Sequence, residues 1–310
     1  MAVVAETAGG AIIIFVVCAL LASNVSAESS ANCFELVVKS TEGLGAQIMR
    51  SRNVLLMKQL HNHTVCLNVG RSPHGYEPAK KLKLNCRCPR AKWRYLTIEE
   101  QALIERYVEA RCDGADATYP TFLESGRSYV AKSHFYYGDR LLCLRKTIRK
   151  LLDLNRARCD NKQIVAVYHY RRGDIKAGHF YERHKTMHPH EARQVLDLIR
   201  AQIPIQLTVI SQISEIAAAK LRRLLEYDKL VRTNDINVAL MTTECADILL
   251  TGGSGFSAIM SATSYAKLHV ISVNSSHKFE NPDWRISVRS DTLRKLDMKA
   301  LFRSRLPAAG

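Results

Sequence analysis

Between Gln163 and Asn274 five strand-like apolar runs are separated by four amphipathic ones. The strands are read at "QIVAVYHY" (163–170), "IQLTVISQ" (205–212), "KLVRTND" (229–235), "DILLTGGSG" (247–255) and "LHVISVN" (268–274). The helices are read at 190–203, 215–227, 236–246 and 256–267. Strands that alternate with helices at this spacing predict a doubly wound α/β domain whose ligand sits outside the strand carboxyl ends. A shorter series precedes it. "CFELVVKS" (33–40) reads as a buried strand, followed by a turn at Gly43 and Gly45, a helix, and a second strand at 63–70. Thr97-Ile98-Glu99-Glu100 has the form of a capping box and opens a further helix. Residues 139–154 carry an apolar stripe and read as another helix, and residues 71–95 as a long basic loop rich in Pro and Cys. The chain thus divides into two α/β halves near residues 155–162.

With 45 Lys+Arg against 29 Asp+Glu, the net charge is +16, which favours anionic partners of some kind. The apolar run Ala11–Ala22 spans 12 residues, short of the roughly 17–25 that cross a bilayer. With "VSA" after it, the segment 1–27 suits a cleaved signal peptide; a short signal anchor holding the protein at a membrane is the competing reading, and a buried strand the third. The first two place the protein in the secretory pathway, in the lumen of the Golgi or ER. Beyond Cys18 there are eight cysteines, an even number that fits disulfides in such a compartment, and Cys86-Arg-Cys88 is a poor match to zinc spacing.

Two segments carry chemistry. At the end of the strand 163–170 stand His169, Arg171, Arg172, Gly173 and Asp174. A guanidinium forks onto phosphate oxygens and never deprotonates, and Asp174 can orient one of the pair. At Gly252-Gly253-Ser254-Gly255 a strand turns into a helix whose amino end favours anions, with Thr251, Ser254 and Ser257 adding hydroxyls. Taken alone, each segment is equally well an ordinary strand end or a sharp turn. Together they can face one diphosphate. No Asp-x-Asp occurs in the chain, so arginines would replace the usual metal. His184, His188 and His190 are read as an acceptor-side loop rather than a metal site.

"HYRRGD" resembles the HxRRxD signature of the fucosyltransferase superfamily. "EGLGAQIMR" is similar to its GxGNQ turn, "IQLTVISQ" to its second motif and "CADILLTGGSGFSAIMSA" to its third, in the same order. The resemblance implies a GT-B-like fold of two Rossmann-type doubly wound domains facing a cleft, with residues 28–158 on the acceptor side and 159–310 binding the nucleotide sugar. It implies GDP-fucose as donor, inversion at the anomeric carbon, no cofactor and no metal. Its partners would be a nucleotide-sugar donor and a glycan or glycoprotein acceptor, not nucleic acid. Carried over, Arg171 and Arg172 hold the diphosphate, with Asp174 a candidate base beside His179 and Glu182. His169, Gly253, Ser254, Gly255, Phe256 and Ser257 contact the donor, Asp247 reads the guanine edge, and Gly43, Gly45 and Gln47 form the N-terminal loop. Ala46 stands where the family has Asn, and the third motif is Gly-rich, so the acceptor is left open. A secreted, non-catalytic glycan-binding protein, or a transferase using another nucleotide sugar, are the alternatives.

Overall fold

The computed structural model describes residues 31–38, 44–69, 82–90, 93–132, 138–154, 159, 163–171, 185–233, 235–276 and 281–306. Within them the chain forms two parallel sheets, each flanked by helices. The first half contributes β1 (Cys33–Val38), α1 (Leu44–Arg50), α2 (Arg52–His61), β2 (Thr64–Val69), β3 (Trp93–Tyr95), α3 (Ile98–Cys112) and β4 (Ser128–Lys132). Its strand order is β2-β1-β4-β3, all parallel, with Cys33 beside both Thr64 and Ser128. A 3₁₀ turn at Gly138–Leu144 then leads into α4 (Arg145–Leu151), where the apolar stripe of 139–154 predicted one continuous helix.

The second half runs β5 (Ile164–Tyr170), α5 (Pro189–Arg200), β6 (Ile205–Ser211), α6 (Glu215–Leu225), β7 (Lys229–Arg232), α7 (Ile236–Glu244), β8 (Ile248–Thr251), α8 (Gly255–Thr263), β9 (Leu268–Ile271) and β10 (Ile286–Arg289), with short helical turns after it. The sheet order is β10-β9-β8-β5-β6-β7. Numbered within this half, that is 6-5-4-1-2-3, the Rossmann order, and every pairing is parallel. The order reverses between β5 and β8.

Local chemistry accounts for the element ends. Thr97 Oγ1 accepts the Glu100 amide and the Glu100 carboxylate accepts the Thr97 amide, completing the capping box of α3. Ser214, Asp235 and Ser254 cap α6, α7 and α8 by accepting one first-turn amide each, from Ala217, Asn237 and Ser257. Three strands lie outside the sequence expectation. β3 falls inside the stretch read as loop, β4 in an unassigned stretch, and β10 follows the strand expected to close the sheet.

The halves share one core. Phe34, Ile48 and Leu55 from the first pack in the same buried cluster as Val165, Leu249 and Ile259 from the second. α8 lies at the seam and is held at both ends. At its amino end a Cβ on Gly45 of α1 would come within 2.3 Å of the Gly255 carbonyl, so only glycine permits this approach. At its carboxyl end Arg145 Nε donates to the Ala262 carbonyl at 3.1 Å and Arg149 Nη1 to the Thr263 carbonyl at 3.4 Å, where positive charge suits the helix dipole. Arg149 also bonds Glu244 at 2.6 Å in an ion pair almost without solvent. The Arg145 guanidinium lies between the Tyr265 and Trp284 rings, 4.6 and 4.0 Å from their centres.

All eight cysteines beyond Cys18 are oxidised, as Cys33–Cys88, Cys66–Cys86, Cys112–Cys143 and Cys159–Cys245. The sulfurs of Cys33, Cys66 and Cys88 cluster closely, but each belongs to a disulfide and none offers a thiolate to a metal. Among the described residues no helix is long and apolar enough to cross a membrane; residues 1–30, with the apolar run, lie outside them.

Candidate functional site at the carboxyl edge of the second sheet

β5 and β8 are adjacent and parallel, with Tyr168 level with Leu250. Their carboxyl ends therefore open at one edge, at the point where strand order reverses. A doubly wound sheet places a ligand in such a crevice because loops from neighbouring strands diverge there. β5 delivers His169, Tyr170 and Arg171 to this edge, and Ser211 Oγ donates to the Tyr170 carbonyl at 2.7 Å, tying the ends of β5 and β6 together. β8 delivers Thr251 and the turn into α8.

The turn is held by hydroxyls. Ser254 Oγ accepts the Ser257 amide at 3.0 Å and lies 2.8 Å from the Ser257 hydroxyl. That hydroxyl lies 3.3 Å from His169 Nδ1, and the Phe256 ring meets the His169 ring edge-on at 5.5 Å. His169, Ser254 and Ser257 are all buried. The structure thus brings together His169 and Ser257, 88 residues apart, with Arg171 two residues beyond His169, just past the strand end, and half-buried.

The glycines act differently from a simple phosphate cradle. A Cβ on Gly252 would approach the Lys185 carbonyl to 2.4 Å, so Gly252 lets the segment entering α5 cross the turn. Gly255 is matched to α1, since its Cβ would meet the Ala46 amide at 2.8 Å. Gly45, expected in a loop, is helical and forms the other side of that contact, and Gln47 is a buried residue of α1. Gly253 occupies the turn between Gly252 and the cap. The first turn of α1 therefore touches the first turn of α8, and the two amino ends lie against each other.

Asp247 does not join this group. It precedes β8, where its carboxylate accepts the Val165 amide at 2.9 Å and meets Arg305 Nη2 at 3.4 Å. Val165 lies four residues before His169, about 13 Å along the strand. Asp247 thus fastens the amino ends of β5 and β8 to the C-terminal segment, at the opposite edge of the sheet from His169 and Arg171. His188 and His190 are not a free loop either: His188 Nδ1 accepts the His190 amide at the start of α5, and the two rings stack at 5.4 Å. Arg172, Gly173, Asp174, His179, Glu182, His184 and Gly43 lie outside the described residues.

One supporting network has no counterpart in the sequence reading. His269, fully buried in β9, lies 2.9 Å from Thr251 Oγ1 through Nε2 and 3.1 Å from Ser261 Oγ through Nδ1. Arg285, also buried, donates to Ser261 Oγ at 3.0 Å, to the Ser261 carbonyl at 2.9 Å and to the Ala266 carbonyl at 3.2 Å. This network lies behind the β8–α8 turn and fixes it from the protein side. The available signal was a polar residue inside an apolar strand, "LHVI", which alone does not name its partners.

No family model and no curated protein matches the chain. Among solved structures, it is similar to an E. coli heptosyltransferase, WaaC, with ADP, at 11% identity and a TM-score of 0.38, over 87% of this chain and 98% of that one. It is similar also to a glycosyl transferase family 9 protein from Veillonella parvula, at 8% identity and a TM-score of 0.38, over 87% and 95%. A third is POFUT1 in complex with GDP, at 11% identity and a TM-score of 0.36, over 76% and 95%.

Proposed function

We propose that the protein is an inverting glycosyltransferase that moves fucose from GDP-fucose to a hydroxyl of a glycan or glycoprotein. The observation that carries this reading is the contact of His169, near the end of β5 and two residues before Arg171, with Ser257 in the Ser254-capped first turn of α8, at the reversal point of a Rossmann-ordered sheet. A permanent cation and a helix amino end at one crevice suit a nucleoside diphosphate. The choice of guanosine and fucose rests on the "HYRRGD" resemblance.

The acceptor oxygen attacks C1 of fucose, the bond from C1 to the β-phosphate oxygen breaks, and GDP leaves with that electron pair. The acceptor proton passes to a base, for which Asp174, His179 and Glu182 are the candidates. Negative charge grows on the departing diphosphate. Arg171 and Arg172, with the α8 amino end, offset it in place, so that no metal is required. Ser254 and Ser257 keep that end shaped, and His169 is fixed by Ser257 and Phe256 for donor contact.

The test is thermal stabilisation by GDP, UDP and ADP in EDTA, since a ligand that binds only the native state raises its stability. GDP alone should raise Tm, with a further rise from GDP-fucose. A preference for UDP or ADP would replace the donor, and no response to any of them, with retention on an acidic glycan, would replace the enzyme with a binding protein.

A further inference from the structure

Asn-x-Ser/Thr, the acceptor sequence for N-linked glycans, occurs twice among the described residues, at Asn62-His63-Thr64 and Asn274-Ser275-Ser276. The first lies where the chain turns from α2 into β2. Asn62 ends α2 with φ 53° and ψ 28°, a left-handed conformation that asparagine adopts more readily than most residues. His63 is buried, while Asn62 and Thr64 on either side of it are exposed. The base of the turn is fixed. His61 Nε2 lies 2.6 Å from the Tyr107 hydroxyl, His63 Nε2 lies 3.0 Å from the Tyr119 hydroxyl, and the Thr64 amide donates to the Asn32 carbonyl at 3.0 Å. With His63 tied inward, the turn presents the amide and the hydroxyl of the acceptor sequence to solvent together.

We propose that Asn62 is a modification site that carries an N-linked glycan. The inference rests on entry into the secretory pathway, which the four disulfides suit, and not on the sugar-transfer reading. In the lumen Asn62 Nδ2 attacks C1 of an oligosaccharide carried on a lipid diphosphate. The bond from C1 to the diphosphate oxygen breaks, the lipid diphosphate leaves with that electron pair, and an amide proton passes to the transferring enzyme. The position suits a permanent bulky group. Asn62 precedes β2 at the amino edge of the first sheet, and the six residues of β2 run about 17 Å from there to the carboxyl edge. α1, which follows the carboxyl end of β1, makes the contact with α8, so Asn62 lies at the far edge from the donor crevice. Asn274 and Ser276 are also exposed around a buried Ser275, but they follow the carboxyl end of β9, at the edge that holds the crevice. Arg289 clamps the backbone there, donating to the Val273 and Ser275 carbonyls at 2.9 and 3.4 Å. The inference is therefore confined to Asn62.

The experiment is expression of the full chain in cultured eukaryotic cells, followed by release of N-glycans with peptide-N-glycosidase in heavy-oxygen water and peptide mass spectrometry. The peptide containing Asn62 should carry a glycan and convert to labelled aspartate on release. Asn62→Asp, which tolerates the same backbone conformation, and Thr64→Ala should each abolish that glycan and increase gel mobility. Thr64→Ser keeps the hydroxyl and should retain it, and Asn274→Asp should leave it in place. The melting temperature of Thr64→Ala checks that the variant is folded. Protein recovered from the lumen or medium with its disulfides formed and Asn62 bare overturns the inference and leaves the secretory reading standing. So does a glycan on Asn274 in place of Asn62, or an Asn62 glycan that survives Thr64→Ala. Protein recovered from the cytosol with free thiols and no glycan overturns both.

Discussion

Gly45→Ala is the perturbation that most directly probes how the two halves meet. The added Cβ would lie 2.3 Å from both the carbonyl carbon and oxygen of Gly255 and 2.5 Å from the Phe256 amide, where ordinary contact begins at 3.4 Å. All three atoms are backbone, at the first turn of a helix, and none can rotate away. Either α1 and α8 separate by about an ångström or the helix starts deform. Overpacking of this kind costs about 1–3 kcal/mol. Alanine's better helix propensity, worth up to about 1 kcal/mol, offsets only part of it. A net loss of about 1–2 kcal/mol lowers Tm by roughly 2–3 °C in a chain of 310 residues. The same shift widens the donor crevice, so GDP affinity should fall with stability. Gly114→Asn is the comparison: its Cβ would find nothing within 4 Å, and asparagine tolerates the φ of +77°, so Tm should stay within about 1 °C. Differential scanning calorimetry of both variants decides it. If Gly45→Ala melts with the wild type, the halves are not in the backbone contact described here.

Three further outcomes are expected. Burial first, and the charge of His61 second, hold His63 down at about pKa 4, so between pH 6.5 and 4 the native state binds fewer protons than the unfolded one. Stability should therefore fall as pH drops through that window, by up to about 1.4 kcal/mol per pH unit, and His63→Gln should flatten the fall measured by urea unfolding. Arg149→Met leaves the Glu244 carboxylate buried without its cation and should cost about 3–5 kcal/mol, largely restored in Arg149→Met/Glu244→Leu; equal Tm values for the two variants would contradict a buried pair. Replacing Cys159 and Cys245 together by serine opens a loop of 86 residues and should cost about 4.6 kcal/mol by chain entropy, seen as a lower urea midpoint.

Much of the second half was legible because each of its long elements has a distinct period and a clear end. The run "IVAVYHY" is apolar at nearly every position, as a strand buried on both faces must be, and the caps Ser214, Asp235 and Ser254 mark helix starts. β10 escaped because four residues, "ISVR", carry too little pattern, and its place in the sheet comes from pairing with β9 and from the Arg285 anchor before it. β3 is shorter still and is recruited only by β4. The site was legible as two segments but not as an arrangement. Sequence order puts Asp247 next to the glycine turn, yet a strand of four residues separates the two ends of the sheet, and the carboxylate closes the amino edge instead. Nor does spacing reveal that Gly45 and Gly255 are one contact, since glycine in a turn and glycine under a crossing helix look alike in a chain.

The central claim is that a nucleoside diphosphate binds at the carboxyl edge of β5 and β8 and is met there by Arg171. The direct measurement is the Kd for GDP, by calorimetry in EDTA, of the wild type, Arg171→Lys and Asp247→Asn. Lysine keeps the charge and loses the planar fork, so Arg171→Lys should bind GDP at least about tenfold more weakly and cut turnover of GDP-fucose by on the order of 10²–10³. Asp247→Asn, at the far edge, should lower Tm through the lost Val165 and Arg305 contacts while its Kd for GDP stays at the wild-type value. The reverse pattern, with GDP binding lost in Asp247→Asn and retained in Arg171→Lys, would place the nucleotide at the wrong end of the sheet and contradict the account.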